Sequence, residues 1–329
     1  MKDWTEPNGI FIVNIPIEWQ YKNVVVQNCK EESPYSFEPY EDSSGCFQLS
    51  CYPLLERGIN SNFPVQKNNS KVKWHASRTD DEEFDMLLFY AQVDDQFCMA
   101  KYIYSANRRF DIRIKEQIQK VHYVLDTFRV IPQSDRLLAA NLNKYDNFFG
   151  SLVASHDLAI RSIESESYIE LIVILANQID AFLRLSIILK QQLSNESDDI
   201  EVKYLYEADG QNGMIERKIY SQANELEIID NELYTELNGL YDQRNRVIHR
   251  YIISYLKTRK IAQIAYDYAV INEKVKLILR QYEEMQFGKG YGIFGRGYSK
   301  NYEFDEDDKR RAFSLANDKH LLEKLQRIL

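Results

Sequence analysis

Three polar side chains that can act on a phosphate ester, Arg244, Asn245 and His249, lie within six residues of one another. Apolar residues recur at intervals of three and four around them, so the sequence predicts that all three occupy two turns of one helix. A guanidinium group binds and neutralises a phosphate, an amide orients it, and an imidazole transfers protons near neutral pH. RNA carries its own nucleophile, the 2′-hydroxyl, so this trio can cleave it without a metal ion and leave a 2′,3′-cyclic phosphate and a 5′-hydroxyl.

The predicted helix has two distinct faces. The expected core face carries Arg244 among apolar neighbours, namely Leu237, Leu240, Val247, Ile248 and Tyr251. A buried guanidinium group needs a carboxylate or an anionic ligand, and Asp180 or Glu170 on the preceding long helix can supply the carboxylate. A second stripe lies about 100° around the helix and suggests a partner surface; it comprises Tyr241, Asn245, His249, Ile252 and Leu256.

The charge around this motif is opposite in sign to that of the chain. The formal net charge of the protein is −9, which argues against broad, nonspecific nucleic-acid binding. Between residues 241 and 260, however, Asp242 is the one acidic residue among six cationic ones: Arg244, Arg246, Arg250, Lys257, Arg259 and Lys260. We interpret Arg246, Arg250 and Lys257 as candidate RNA-binding residues, and a solvated helix face is the alternative.

Composition indicates a soluble, two-domain protein that uses neither metal nor cofactor. The 329 residues exceed one domain of roughly 150 residues, and 28% are charged. The apolar run 171–189 is interrupted by charged and amide side chains, so it predicts a buried helix and no membrane span. Residues 1–9 lack the features of a secretory signal, which favours a cytoplasmic location.

The four cysteines show no zinc-site spacing, and the G-x-G-x-x-G run at 290–295 follows a helix where a dinucleotide site needs a strand.

The periodicity of the apolar residues changes along the chain and predicts an α+β fold. Residues 1–132 are expected to form an antiparallel-sheet sandwich, with strands at 10–16, 24–26, 47–52, 72–74, 86–90 and 97–104. A covering helix is predicted from Ile114 to Phe128. Residues 133–287 are expected to form a helical bundle, with helices at 137–162, 166–194, 213–256 and 258–286, the third broken near Gly239 or Glu225. Residues 288–329 are predicted to form a flexible, glycine-rich linker and an amphipathic tail helix beginning near residue 305.

Two family resemblances follow from these patterns. The segment Gly9–Trp19, a strand that ends in Pro and Trp, resembles the start of PsbP-like domains, which implies a ligand-binding or adaptor module in residues 1–132. The Arg-Asn-x-x-x-His motif resembles the signature of the HEPN domain over residues 137–287. That resemblance implies an all-helical bundle in which two copies form one composite RNase site. Arg244 would bind the scissile phosphate, Asn245 would orient phosphate or imidazole, and His249 would act as general acid and base.

The leading hypothesis is therefore a homodimeric endoribonuclease that acts on RNA as a toxin or phage-defence effector, with a cognate antitoxin or regulatory protein as a further partner. One alternative is a noncatalytic dimeric module that binds RNA or another ligand, in which Arg244 pairs with Asp180 and His249 lines the dimer seam. Another is a partner of a nucleotidyltransferase, modified at Tyr241 or Tyr251.

Overall fold

A computed structural model of the chain describes residues 1–23, 33–40, 44–54, 63–68, 71–207, 213–295 and 315. The α+β class is confirmed, since 53% of the residues are helical and 20% are in strands. The described residues divide into two compact units: those up to residue 143 form the first, and 144–207, 213–295 and 315 form the second.

Strands of the first unit form two sheets. Their bounds are β1 Lys2–Thr5, β2 Phe11–Ile15, β3 Trp19–Tyr21, β4 Tyr35–Pro39, β5 Cys46–Pro53, β6 Val65–Gln66, β7 His75–Asp80, β8 Phe84–Val93, β9 Gln96–Ser105 and β10 Arg129–Val130. The smaller sheet has the order β1-β2-β10, and the larger has the order β3-β4-β5-β9-β8-β6 with β7 also paired to β8. The pairing is antiparallel as predicted, except that β6 runs parallel to β8.

Alternation of buried and less buried side chains gives the larger sheet one core face. Along β9 every second residue is buried, from Gln96 through Cys98 and Ala100 to Tyr102. The helix α1, Ile112–Thr127, covers the core with Ile114, Val121, Val124 and Leu125. The side chain of Asp111 caps α1 by accepting a hydrogen bond from the Arg113 amide (3.0 Å).

The strand expected at 72–74 is wrong, because residues 71–74 are irregular and β7 begins at His75. The side-chain amide of Gln66 donates to the Lys73 carbonyl (2.8 Å) and accepts from the Lys73 amide (2.7 Å). A side chain therefore satisfies the backbone groups that a neighbouring strand would otherwise bind. The strand expected at 24–26 lies outside the described residues.

Within the described residues, five α-helices begin at or after Arg136: α2 Arg136–Glu164, α3 Tyr168–Asn195, α4 Glu216–Glu225, α5 Asn231–Arg250 and α6 Thr258–Gln286. In the second unit, α3 and α6 pack extensively against each other, and Asn272 Nδ2 donates to Gln178 Oε1 (3.1 Å) in their buried seam. The helix α3 is long and apolar enough to cross a membrane, but 67% of its most apolar stretch is buried within the protein. That burial is typical of a core helix in a soluble protein.

The break in the third predicted helix falls at residues 226–230, and not at Gly239. Glu227 adopts a left-handed conformation (φ 55°), which ends α4. Asp230 then caps α5 by accepting from the Leu233 amide (2.8 Å). Gly239 lies inside an unbroken α5, which ends at Arg250 rather than at residue 256.

Residues 288–295, expected to belong to a flexible linker, form a turn that is hydrogen-bonded to other parts of the second unit. The backbone amide of Gly292 donates to Asp198 Oδ1 (2.8 Å), and that of Phe294 donates to Gln286 Oε1 (3.0 Å). These bonds fix the turn against the ends of the long helices. The predicted tail helix lies outside the described residues, apart from Leu315.

Candidate functional site

The helix α5 carries all three residues of the motif in its last two turns. Leu237, Leu240 and Val247 are buried and fix which side of α5 faces the core. Arg244 and Asn245 are partly buried, whereas His249 is exposed. In an α-helix, positions five apart diverge by about 140°, so one chain does not bring the Arg244 guanidinium and the His249 imidazole together on one face.

Arg244 forms an ion pair with a carboxylate that the sequence did not single out. Its Nη1 donates to Oε2 of Glu216, in the first turn of α4. The Arg244 and Glu216 side chains are only 15% and 13% exposed. The expectation that Asp180 or Glu170 pairs with Arg244 is therefore wrong; Asp180 accepts instead from Arg184 Nε, at 2.6 Å, one turn along α3.

A tyrosine ring completes the setting of the Arg244 guanidinium. The Cζ atom of Arg244 lies 4.7 Å from the centroid of the Tyr241 ring, and the Cζ of Arg217 lies 4.5 Å from the same centroid. Both distances are typical of cation–π contacts. In addition, Arg244 Nη2 donates to Asn245 Oδ1 (3.3 Å), and Arg217 pairs with Asp242. The ion pair, the ring and the amide together restrict where the Arg244 guanidinium can point.

Polar groups with low solvent exposure surround the ion pair. Tyr220 donates its hydroxyl to Glu216 Oε1, and burial together with that carboxylate raises the pKa of Tyr220. Burial and the Glu216 charge likewise raise the pKa of Tyr268, which is 0% exposed. Burial, the largest single effect, disfavours the charged form of Arg244, but the charge and hydrogen bond of Glu216, together with Tyr268 and Tyr220, raise the Arg244 pKa overall. Burial also raises the pKa of Asp180, against the opposing effect of Arg184.

Three buried atoms near this ion pair are left without a hydrogen-bond partner: Asp180 Oδ1, Arg244 Nε and the Tyr268 hydroxyl. Unsatisfied buried polar atoms are uncommon in folded proteins and often indicate a bound water, an ion or a functional site. The ion pair therefore lies in a polar interior, and one edge of it remains accessible to solvent.

The candidate RNA-binding residues lie on the surface. Arg246 and Arg250 are exposed on α5, and Lys257 is exposed just before α6. With His249 they form a cationic surface at the C-terminal end of α5. Residues 243–260, which carry these cations, include no Asp or Glu.

Large apolar side chains are exposed beside that cationic surface. Ile252 is 92% exposed, Ile253 83% and Tyr255 100%, in the segment between α5 and α6. Ile248 and Tyr251, which were expected on the core face, are 41% and 44% exposed, because the buried face of α5 ends at Val247. We call Ile248, Tyr251, Ile252, Ile253 and Tyr255 the apolar patch.

Sequence reasoning missed Glu216 and Arg217. Their separation from Arg244 is 28 and 27 residues, and only the packing of α4 on α5 brings them close. A glutamate in the first turn of a helix is ordinarily explained by the helix dipole, so its spacing gave no signal. Among the described residues, no group of three or more His, Cys, Asp or Glu side chains has the arrangement of a metal site.

Comparisons with known proteins leave the chain without an assigned family. No family model matches it, and no curated protein matches it. A crystal structure at 1.50 Å resolution of a protein from Bacteroides thetaiotaomicron is 12% identical and aligns with 59% of this chain and 78% of its own, with a TM-score of 0.28. A likeness this remote says nothing about the activity of the chain.

Proposed function

We propose that the protein is a metal-independent endoribonuclease of the HEPN type, active as a cytoplasmic homodimer in a toxin or phage-defence role. In this proposal the helical unit supplies the nuclease, and the first unit is a PsbP-like sandwich that senses a ligand or recruits a partner. The observation that carries the proposal is the arrangement on α5: an exposed His249, an adjacent Asn245 and an arginine held at the edge of the core, surrounded by exposed cations.

The chemistry assigns one role to each group. One His249 accepts the proton of the 2′-hydroxyl while the 2′-oxygen attacks phosphorus. The bond from phosphorus to the 5′-oxygen breaks, and a second His249 donates a proton to that oxygen. Arg244 stabilises the charge on the phosphoryl oxygens, and Asn245 orients the phosphate or the imidazole.

The geometry of α5 favours a site built from two copies of the chain. Because Arg244 and His249 diverge on one helix, a composite site would combine them across two copies. The apolar patch adjoins His249 and is large and exposed, and such surfaces on soluble proteins commonly mark a protein interface. We assign the apolar patch to this homodimer contact, with the cationic side chains left free for RNA.

A noncatalytic dimeric module is the second candidate, and a specific observation favours it. Arg244 already has a carboxylate partner in Glu216, as a purely structural arginine would have. In that case the bundle would dimerise and bind RNA or another ligand without cleaving it.

Cleavage assays on wild type, Arg244→Ala and His249→Ala, run with a chelator present, distinguish the two candidates. The nuclease proposal predicts cleavage by the wild type and a loss of at least 100-fold in each variant, in line with the contribution of a general acid or base. Arg161→Ala, which removes a cation from the last turn of α2, is the matched control. Equal cleavage by wild type, Arg244→Ala and His249→Ala would exclude this site as the source of activity.

A further inference from the structure

We propose that Glu216 is a positioning residue for the nuclease reaction, holding the Arg244 guanidinium in the orientation that meets the scissile phosphate. This inference rests on the proposed function and extends it to a residue outside the motif. Glu216 would not touch the RNA, and it would act only through Arg244.

The donor arrangement of Arg244 makes this role possible. A guanidinium group has five N–H donors in a fixed plane. Glu216 Oε2 takes a bond from Nη1, and Asn245 Oδ1 takes one from Nη2 at 3.3 Å. Each of these nitrogens carries a second N–H, and the proposal assigns these two donors to the phosphate.

Two further contacts restrict rotation of the ion pair. The Tyr241 ring lies 4.7 Å from Arg244 Cζ, and the Tyr220 hydroxyl donates to the other oxygen of the Glu216 carboxylate. Tyr220 is 0% exposed, so it anchors Glu216 to the core. The chain of contacts therefore runs from a buried hydroxyl through the carboxylate to the guanidinium, as in sites where supporting groups preorganise a binding residue.

Asp242 provides a matched control for Glu216. Its carboxylate pairs with Arg217, whose guanidinium contacts the same Tyr241 ring, but the Asp242 side chain is 70% exposed. The variants Glu216→Gln and Asp242→Asn each remove one negative charge from this cluster. They differ in whether the lost charge faces Arg244.

The test combines kinetics with a spectroscopic readout on the full-length protein. We expect Glu216→Gln to lower kcat at least 10-fold with KM changed less than about 3-fold, and Asp242→Asn to remain within about 2-fold of wild type. Glu216→Asp keeps the charge but withdraws the carboxylate from Arg244, so its kcat is expected to lie between that of Glu216→Gln and that of wild type. In parallel, the Arg244 Nη–H signals in ¹⁵N NMR, assigned by their loss in Arg244→Lys, should be separately resolved and slow to exchange in wild type and averaged in Glu216→Gln.

Unchanged or increased kcat in Glu216→Gln would overturn the inference, because Glu216 would then be irrelevant to Arg244 or would mask it. If Glu216→Gln does not fold, Glu216→Asp carries the comparison, and kcat equal to wild type overturns the inference. If the wild type cleaves no RNA, the proposed function fails. The NMR comparison then decides the positioning claim alone, and an unaltered Arg244 signal in Glu216→Gln contradicts it.

Discussion

Arg244 of α5 and Glu216 of α4 form an ion pair in which the two side chains are only 15% and 13% exposed. The pair joins two helices that are separated by a tight break at residues 226–230. It therefore belongs to the packing of the bundle as much as to the candidate site. Its energetic consequences can be separated from catalysis by measuring stability.

The loss of Glu216 should leave a charge uncompensated inside the bundle. We expect Glu216→Ala to lower the free energy of unfolding by about 3 kcal/mol, the lower end of the range for breaking a buried ion pair. The double variant Glu216→Leu/Arg244→Met should lose less than Glu216→Ala, because it leaves neither charge alone. Urea unfolding followed by far-ultraviolet circular dichroism measures both. A double variant less stable than Glu216→Ala would contradict this account of the pair.

His249 should be dispensable for folding. The side chain is exposed, and substitutions at such positions typically change the free energy of unfolding by less than about 0.5 kcal/mol. We expect His249→Ala to unfold like the wild type and yet to lose RNA cleavage. A large drop in stability would instead assign His249 a structural role.

The apolar patch should mediate self-association. We expect Ile252→Glu to give a monomer in sedimentation velocity at micromolar concentrations at which the wild type is a dimer, because a charge at the interface core would be desolvated without a partner. Leu277→Glu, at a position 56% exposed on α6, is the control and should remain dimeric. A monomeric wild type, or dissociation in Leu277→Glu alone, would remove the patch from the interface.

The pH dependence of the first unit should report on Asp85, which is 0% exposed. Hydrogen bonds from Arg109, one of them 2.6 Å long, lower the pKa of Asp85. A carboxyl whose folded pKa lies below the unfolded value of about 3.9 stabilises the protein above that value, and the stabilisation disappears as the pH falls through the folded pKa.

Asp85→Asn should therefore lower the Tm most at neutral pH, and its deficit relative to wild type should shrink below about pH 4. The exposed Asp80, which pairs with Arg78, offers Asp80→Asn as a control with a small effect at all pH values. All three tryptophans, Trp4, Trp19 and Trp74, lie in the first unit, so their fluorescence follows its unfolding. A deficit that is constant from pH 7 to pH 3 would contradict the assignment.

Local patterns predicted much of the secondary structure. The alternating residues 97–104 lie within β9. The apolar spacing of the long helices predicted the bounds of α2, α3 and α6 to within two residues. The expected strand at 72–74 failed because the side chain of Gln66 in β6, 7 residues earlier, satisfies the Lys73 backbone. Bonds of that kind depend on tertiary packing and leave no periodic signal.

In the candidate site, too, local spacing predicted which helix carries the residues, but it did not predict the contacts that depend on tertiary packing. The spacing of Arg244, Asn245 and His249 placed them together on α5, and the need of a buried guanidinium for a carboxylate was inferred from burial alone. The identity of that carboxylate was wrong because the sequence left the position of the break open between Gly239 and Glu225 and gave no packing of α4 against α5. Once Glu227 turns the chain back, Glu216 faces Arg244, and Asp180 pairs with its neighbour Arg184.

Cleavage of a defined RNA in the presence of a chelator, compared with the same oligonucleotide 2′-O-methylated at every position, tests the central claim most directly. The account predicts that the wild type cleaves the unmodified RNA to a 2′,3′-cyclic phosphate and a 5′-hydroxyl. It also predicts that His249→Ala does not cleave it and that the methylated strand stays intact. Cleavage of the methylated strand, dependence on a divalent metal ion, or full activity in His249→Ala would contradict it.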